Sequence, residues 1–271
     1  MNDLKTINRR TLLAAGASTL LPLQANAQGG WPNRPIKLVV PFAPGGSNDI
    51  LSRVLGAKLS TRLGQPVVIE NKGGGGGTIG TDAVAKSAPD GYTLLFASTS
   101  VTTNAASGKK LPYDLFKDLQ PIGLLAATPF VVVVSNHVKA HTLSEFIALA
   151  RAKPKSVNYG TAGIGGINHL GTELFASAAK IEMTHVPYKG IGPAFTDLMA
   201  GNLQMTLPTL ASVLPHIRGE KMRALAVTSP ERSPWPRKSP RPRKPVFPDF
   251  SWRPGSACLA PPTCRRPFSN A

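Results

Sequence analysis

Two glycine-rich loops and a run of hydroxyl residues are the segments of this sequence best suited to bind a ligand. The first loop, residues 42–48, contains Gly45, Gly46 and Ser47 and joins a short apolar segment to a stretch with helical periodicity. The start of a helix exposes unpaired N–H groups and about half a positive charge, so it can bind a carboxylate or a phosphate. The same residues would also suit an ordinary turn in which Ser47 or Asn48 caps the helix. On these residues alone the two interpretations have equal weight.

The second loop repeats this arrangement further along the chain. Residues 160–166 read Gly-Thr-Ala-Gly-Ile-Gly-Gly, after a strand pattern and before a helical one. A dinucleotide-binding motif begun at Gly163 would need glycine where Asn168 stands, so that interpretation fails. The sequence therefore indicates a second loop that ends at a helix start.

Two further polar or flexible segments follow predicted strands. Ser98, Thr99 and Ser100 could donate to an anion or cap a turn. Five consecutive glycines at 73–77 have no Lys-Ser or Lys-Thr pair after them, so they are not a phosphate-binding P-loop. They fit either a flexible turn with close backbone packing or the wall of a pocket.

The sequence shows no set of side chains for bond-making chemistry. It lacks a Gly-x-Ser-x-Gly elbow, and its five histidines have no metal-ligand spacing. His169 and Glu173 lie one helical turn apart, but two ligands without a third favour a capping or packing histidine. We therefore predict no catalytic residue, no metal and no cofactor, and loops that hold an acid. The alternative is a secreted α/β enzyme that acts on a carboxylate with His169 as its base.

Strand and helix patterns alternate along the chain. An apolar strand pattern at 36–40 precedes a helix that Gly64 can stop, and an apolar segment at 130–134 is long enough to cross between domains. The apolar residues of that first helix have amphipathic spacing; they are Ile50, Leu51, Val54, Leu55 and Leu59. Such alternation predicts parallel sheets flanked by helices, with ligands at the carboxyl ends of the strands.

The net charge of +17 is unevenly distributed over the 271 residues. Residues 28–232 carry 20 basic and 12 acidic side chains, whereas residues 233–271 alone contribute +7. No basic stripe is interleaved with aromatic residues, so we predict small anionic solutes and no nucleic acid as partners. The length allows one large or two small domains.

The N-terminus has the features of an export signal. Three basic residues precede the apolar run 12–23, and Ala-Asn-Ala at 25–27 offers small residues for cleavage. A membrane anchor is the alternative, but the apolar run is too short to span a bilayer. We predict a signal peptide at 1–27, cleaved near Ala27, and a periplasmic mature chain. The adjacent arginines at 9 and 10 leave both the Sec and the Tat route open.

Six short motifs are spread over most of the chain. They are Val-Pro-Phe-Ala-Pro-Gly-Gly at 40–46, Glu-Asn-Lys-Gly at 70–73, Ala-Pro-Asp-Gly-Tyr-Thr-Leu at 88–94, Tyr-Gly-Thr at 159–161, His-Val-Pro-Tyr-Lys-Gly at 185–190 and Arg-Ala-Leu-Ala-Val-Thr at 223–228. Together they resemble the substrate-binding receptors of tripartite tricarboxylate transporters, the Bug or TctC-like family. The resemblance runs in register from the signal to about Pro234.

This resemblance implies a type II periplasmic-binding-protein fold, with two lobes of parallel or mixed sheet, flanking helices and an interlobe cleft. The family grips one carboxylate group of its ligand through three loops. The residues implied here are Phe42, Ala43, Gly45, Gly46, Ser47, Asn48, Ser98, Thr99, Ser100, Thr161, Ala162, Gly163, Gly165, Gly166 and His169. Asp49 is expected to position the first loop more than to contact the ligand.

The resemblance also implies partners. The partners are a small organic acid (a di- or tricarboxylate, an amino acid or an aromatic acid) and integral-membrane transporter subunits. The first lobe is predicted at 28–125, and the second, with the crossing strands, at 126–228.

Residues 229–271 depart from the family pattern. From about Ser233, ten prolines and eight Lys or Arg residues occur without a helical or strand period, although 247–250 and 259–261 still resemble the family. Both cysteines lie in this tail, so no disulfide framework is expected. We expect a frameshift or sequencing error and a tail outside the fold. The alternatives are a basic arm for nucleic acid or membrane, and a merely disordered tail. If the tail is genuine, a product that neither folds nor binds is a third functional hypothesis.

Overall fold

The computed structural model describes residues 30–229 and 255–260, with Leu259 the described side chain of the second range. The strands are β1 (Ile36–Val40), β2 (Val67–Asn71), β3 (Thr93–Ser98), β4 (Gln120–Ala127), β5 (Val131–Val134), β6 (Asn158–Thr161), β7 (Thr184–Pro187), β8 (Met205–Thr206), β9 (Arg223–Val227) and β10 (Gly255–Ala260). The helices are α1 (Ser47–Leu63), α2 (Thr78–Ala85), α3 (Ser100–Ala106), α4 (Leu143–Ala152), α5 (Ile167–Ala179), α6 (Ile191–Ala200) and α7 (Leu210–Arg218). A 3-10 turn covers Gly75–Gly77. Within these ranges, no helix has the length and apolar character needed to cross a membrane.

The strands form two five-stranded sheets, each the centre of one lobe. The first has the order β2-β1-β3-β10-β4, and the second β7-β6-β8-β5-β9. In the first sheet β1 runs parallel to β2 and β3, whereas β10 is antiparallel to β3 and β4. In the second sheet β6 runs parallel to β7 and β8, whereas β5 is antiparallel to β8 and β9. The α/β prediction, with parallel and mixed pairing, is confirmed.

Each sheet is packed on its own apolar core. Leu38, Val40 and Phe96 are buried in the first lobe, and Phe130 and Phe146 in the second. The chain leaves the first sheet at the end of β4 and enters the second at the start of β5, close to the predicted boundary between 125 and 126. The division of the chain into these two domains stays a prediction.

Helix α1 ends as predicted, and part of its predicted apolar face is packed, because Leu51 and Leu55 lie against the first-lobe core. Gly64 closes the helix in the left-handed conformation, with φ 67°, and its N–H donates to Ser60 O at 3.1 Å. However, Val54 is 54% exposed. The residues buried in the helix are Asn48, Asp49, Ser52 and Gly56. A Cβ on Gly56 would lie 3.0 Å from the Ile69 side chain, so small residues allow the helix to approach β2 closely.

Two elements differ from what the sequence patterns suggested. Helix α3 begins at Ser100, in a segment interpreted as a turn or a set of anion donors. Strand β4 was not predicted, and most of its residues are exposed. Its sequence, Gln-Pro-Ile-Gly-Leu-Leu-Ala-Ala, has no alternation of apolar and polar residues, so the period-2 signal is absent.

The tail prediction placed all of 229–271 outside the fold, and the structure differs at 255–260. These residues form β10, between β3 and β4, where Leu259 is buried opposite Leu95. The sequence Gly-Ser-Ala-Cys-Leu-Ala has no β-branched or aromatic residue, so local strand propensity did not indicate this strand. The rest of the tail and the predicted signal peptide at 1–27 lie outside the described residues.

Candidate ligand-binding cleft

A cavity lies between the two lobes, at the carboxyl ends of β1, β3 and β6. Residues of both lobes line it: Phe42, Gly46, Ser47, Asn48, Asp49, Ser98 and Thr128 from the first, and Phe130, Ala162, Ile167, Asn168, Ile191 and Thr209 from the second. This is the edge at which the alternation of strands and helices predicts a ligand.

Four helices begin at this cavity. Ser47, Ile167 and Ile191 are the first residues of α1, α5 and α6, and Thr209 is the N-cap of α7. Each helix start carries partial positive charge on its N–H groups. Among the described residues that line the cavity, none is Lys or Arg. The favourable field for an anion therefore comes from the backbone rather than from cationic side chains.

Asp49 lines the cavity, and its carboxylate is already hydrogen-bonded to the first loop and to helix α1. Its Oδ2 accepts the Gly45 N–H at 3.1 Å, and Arg53 donates to Oδ1 from Nε at 3.0 Å. Burial would raise the pKa of Asp49, but the hydrogen bonds from Arg53 and Gly45 outweigh it and hold the pKa below its ordinary value. This agrees with the expectation that Asp49 positions the first loop.

Side-chain amides hold the ends of the first loop. Asn48 Nδ2 donates to Phe96 O at 3.2 Å, and Asn71 Nδ2 donates to Phe42 O at 3.1 Å. Gly45 has a φ of 88°, in the left-handed region that glycine adopts without strain. The loop is thus fixed against the sheet before any ligand arrives.

The other side of the first loop packs directly on the second lobe. Ala43 N donates to Lys189 O at 2.9 Å. A Cβ on Gly192 would lie 2.0 Å from Pro44 O, and one on Gly190 would lie 2.6 Å from Ala43 N. Glycine at 190 and 192 therefore permits a backbone-to-backbone seam between the lobes.

The hydroxyl run takes part in both the cavity and the seam. Ser98 lines the cavity, and its Oγ accepts the Ser100 N–H at 3.2 Å. Ser100 is only 1% exposed, and its Oγ accepts the Ile167 N–H at 3.0 Å. A first-lobe hydroxyl thus caps α5 of the second lobe. Thr99 is not among the lining residues, and its carbonyl accepts from Thr102 Oγ1 at 2.7 Å.

Most of the second glycine loop contacts protein rather than the cavity. Gly163 N donates to Thr161 Oγ1 at 3.2 Å, and Gly165 N donates to His169 Nδ1 at 3.3 Å. A Cβ on Gly76 would lie 2.6 Å from Ile164 O, so the five-glycine segment packs closely on this loop. Of the two interpretations of that segment, the structure supports close backbone packing.

A polar cluster of Tyr159, Thr161, His169, Glu173 and His185 supports the same loop. Thr161 Oγ1 and His185 Nε2 are 2.6 Å apart, and the rings of His169 and His185 stack with centroids 4.2 Å apart. Tyr159 donates its hydroxyl to Glu173. Burial and the proximity of His169 lower the pKa of His185 to about 4, although Glu173 acts in the opposite direction. Among residues 30–229 and 255–260 no group of three His, Cys, Asp or Glu side chains could hold a metal.

Six of the fifteen predicted residues line the cavity: Phe42, Gly46, Ser47, Asn48, Ser98 and Ala162. The structure places the other nine in the surrounding contacts: Ala43, Gly45, Thr99, Ser100, Thr161, Gly163, Gly165, Gly166 and His169. Seven lining residues had not been predicted: Asp49, Thr128, Phe130, Ile167, Asn168, Ile191 and Thr209. Four of the seven lie at or next to a helix start, a position that the helix patterns alone would have suggested. The ligand-binding role of all these residues stays a prediction.

The two α/β lobes and the cleft between them are those of a type II periplasmic-binding-protein fold, as predicted. Residues 51–237 match the family model described as tripartite tricarboxylate transporter family receptor, and the chain belongs to this family. It is 39% identical to protein BugT of Bordetella pertussis over 252 residues, which cover 92% of this chain and 76% of BugT. It is 38% identical to a UPF0065 protein of Pseudomonas sp., covering 86% of this chain and 70% of that protein.

Solved structures agree with this assignment. The periplasmic binding protein BugD superposes with a TM-score of 0.83 at 30% identity, over 88% of this chain and 80% of that one. An R. palustris protein with adipate has a TM-score of 0.81 at 34% identity, over 87% and 79% of the two chains. MatC from Rhodopseudomonas palustris with bound malate has a TM-score of 0.82 at 31% identity, over 88% and 81%. The predicted family and fold are confirmed.

Proposed function

We propose that this protein is a periplasmic receptor that captures a small organic carboxylate between its lobes and delivers it to a tripartite tricarboxylate-type membrane transporter. The observation that carries the proposal is the convergence of four helix starts on one cavity shared by both lobes. Several backbone N–H donors can satisfy a carboxylate without an arginine. The similar structures with adipate and malate support an acid of this size.

The lining also favours a particular kind of acid. Phe42, Phe130 and Ile191 provide apolar walls, and the carboxylate of Asp49 is already paired with Arg53. A tricarboxylate would bring three negative charges to these walls, and the described lining residues include no cationic side chain to pair with them. We therefore expect mono- and dicarboxylates to bind more tightly than tricarboxylates.

Binding would couple to closure of the lobes. The seam between Ala43 and Lys189 brings the two halves of the cavity together. A ligand that contacts both lobes binds the closed form better than the open form, so it shifts the population towards closure. The closed form would then be the one presented to the transporter.

Isothermal titration calorimetry with malate, adipate, benzoate, glutamate and citrate tests the proposal. We expect stoichiometric binding of at least one mono- or dicarboxylate, with the ligand recovered unchanged. Absence of binding across the panel would contradict the carboxylate receptor, and conversion of a ligand would favour an enzyme.

A pair of matched serine variants tests the location of the site. Ser98 lines the cavity, whereas Ser107 donates its hydroxyl to Asn104 O at 2.8 Å outside it. Ser98→Ala should weaken binding several-fold, and Ser107→Ala should leave it unchanged. Equal affinities for the two variants would place the ligand elsewhere.

The structure does not favour the enzyme hypothesis. His169, the base in that hypothesis, is not among the lining residues, and its Nδ1 accepts the Gly165 N–H. A general base must reach the proton it removes, directly or through one water. Recovery of unchanged ligand after long incubation with the protein distinguishes the two functions.

A further inference from the structure

The loop 162–166 is clamped between the two lobes. On the first-lobe side, Thr103 Oγ1 donates to Gly165 O at 3.3 Å, and Lys109 Nζ donates to Ile164 O at 3.2 Å. On the other side, the Gly165 N–H donates to His169 Nδ1 at 3.3 Å. Gly165 therefore makes one hydrogen bond to each lobe through adjacent main-chain groups.

The contact with His169 requires a particular protonation state. A main-chain N–H can only donate, so Nδ1 of His169 must offer a lone pair, and the ring proton must be on Nε2. A proton on Nδ1 would point at the Gly165 N–H and remove the bond. The observed arrangement is therefore one of neutral His169.

The groups around His169 come from several elements. The His185 ring of β7 stacks on it, Glu173 lies one turn further along α5, and Lys109 approaches from the first lobe. Tyr159 of β6 donates to Glu173. Burial lowers the pKa of His169, Lys109 acts in the same direction, and Glu173 opposes them without reversing the result. Neutral His169 is thus the form present at neutral pH.

We propose that His169 is a positioning residue for ligand binding: its neutral ring holds Gly165, and through it the loop that places Ala162, Ile167 and Asn168 along the cavity. This inference rests on the proposed function of the same site. A proton on Nδ1 releases the loop, so that protonation and ligand binding compete.

The competition sets the expected pH dependence. Above the pKa of His169 the affinity is constant, because the ring is already neutral. Below it, each pH unit lowers the affinity by up to tenfold, because ligand binding must expel one proton. Since that pKa lies below the ordinary 6.5, the loss occurs on the acidic side of pH 6.5.

Two variants separate positioning from packing. His169→Asn places an amide oxygen close to the position of Nδ1, so it accepts the Gly165 N–H and does not titrate. His169→Phe keeps a ring to stack on His185 but removes the acceptor. Malate affinity is measured for all three proteins between about pH 7.5 and pH 5. Comparison with His169→Asn cancels the titration of malate itself and of the histidines that do not contact residue 169.

We expect His169→Asn to match the wild type at pH 7.5 and to lose less affinity on acidification. We expect His169→Phe to bind at least tenfold more weakly at pH 7.5. The proposal is overturned if His169→Asn shows the pH dependence of the wild type, or if His169→Phe binds as tightly as the wild type.

Amide hydrogen exchange of the ligand-free proteins gives a readout that does not need a ligand. Protection of 163–167, corrected for intrinsic exchange, should fall on acidification in the wild type and stay constant in His169→Asn. Identical protection profiles would contradict the positioning role. If the wild type binds none of the acids, the receptor function fails, and the exchange profiles still decide whether His169 holds the loop.

Discussion

The side-chain oxygen of Ser100 accepts the main-chain N–H of Ile167 at 3.0 Å, so a residue of one lobe caps a helix of the other. A helix N-terminus leaves several N–H groups without a helical partner. Here one of them donates to a side chain of the other lobe, a partner that it has only while the lobes are in contact. The hydrogen bond therefore belongs to the seam, and it links closure of the lobes to the start of α5.

Replacement of Ser100 by alanine should destabilise the closed form. Loss of an N-cap hydroxyl costs about 1 kcal/mol, which corresponds to several-fold weaker ligand binding if it acts only on closure. Calorimetry with malate measures this change. Ser107→Ala is the control, because the Ser107 hydroxyl donates to Asn104 O at the C-terminal end of α3, outside the cavity. Equal malate affinities for the two variants would show that the cap does not contribute to closure.

Gly192→Ala should separate fold stability from binding. Gly192 is the second residue of α6 and is not among the glycines with a positive φ, so the backbone of α6 should tolerate alanine there. In the closed arrangement, however, the new Cβ would lie 2.0 Å from Pro44 O. We expect an unchanged or higher free energy of unfolding in urea, together with ligand binding at least tenfold weaker.

The control for this variant is Gly219→Ala. A Cβ there would lie 3.4 Å from Pro215 O, an ordinary contact at the end of α7. Binding should be unaffected. Wild-type affinity in Gly192→Ala would mean that the seam between Pro44 and Gly192 is not part of the ligand-bound state.

The fold was largely predictable because its strands are short apolar runs separated by clear helix signals. The residues of β5 are all valine, and Gly64 stops α1 where a left-handed residue is required. The strands that escaped prediction, β4 and β10, lack any period. Their place in the sheet depends on the pairing of β10 with β3 and of β4 with β10. Such pairing is a property of the tertiary structure, and no local pattern encodes it.

The candidate site was predictable at the level of loops but not of individual residues. Both glycine loops do reach the cavity, through Gly46 and Ala162. The contacts between the lobes decide which main-chain groups of each loop face the cavity. Ala43 N donates to the second lobe, and Gly165 O accepts from the first lobe. The N–H of Gly165 donates to His169. Sequence spacing cannot distinguish a donor that meets a ligand from one that meets a carbonyl.

Acid should destabilise the fold through His185. Its pKa is about 4 in the folded protein, and the ordinary value is 6.5, so between these values the unfolded chain binds the extra proton. The free energy of unfolding should therefore fall as the pH is lowered from 6.5 to about 4, by at most about 1.4 kcal/mol per pH unit for one proton. Because His185 is only partly buried, we expect a smaller slope.

Urea denaturation at several pH values, with His185→Gln as the comparison, measures this effect. Glutamine can reach Thr161 Oγ1 from a position near that of Nε2 and does not titrate in this range. The free energy of unfolding of the variant should depend less steeply on pH than that of the wild type. The pH dependence that remains is due to other groups such as His169. Parallel profiles for the two proteins would contradict a depressed pKa at His185.

Strand β10 should contribute to the stability of the first lobe although it lies in the atypical tail. Leu259 is only 8% exposed and packs with Val39 and Leu95, so Leu259→Ala should lower the free energy of unfolding by about 2–4 kcal/mol. Leu124 in the neighbouring strand is 73% exposed, and Leu124→Ala should change the free energy of unfolding by less than about 0.5 kcal/mol. Urea denaturation of both variants provides the comparison.

The same strand bears on the cavity, because β10 lies between the strands that lead to Ser98 and Thr128. Ser256 is paired with Ser98 on one side and with Ala126 on the other, so β10 sets the distance between these two parts of the lining. If β10 is in place, Leu259→Ala should weaken malate binding as well as stability, whereas Leu124→Ala should affect neither. If both variants instead behave like the wild type, the first sheet does not depend on residues 255–260, and the tail contributes nothing to the cleft.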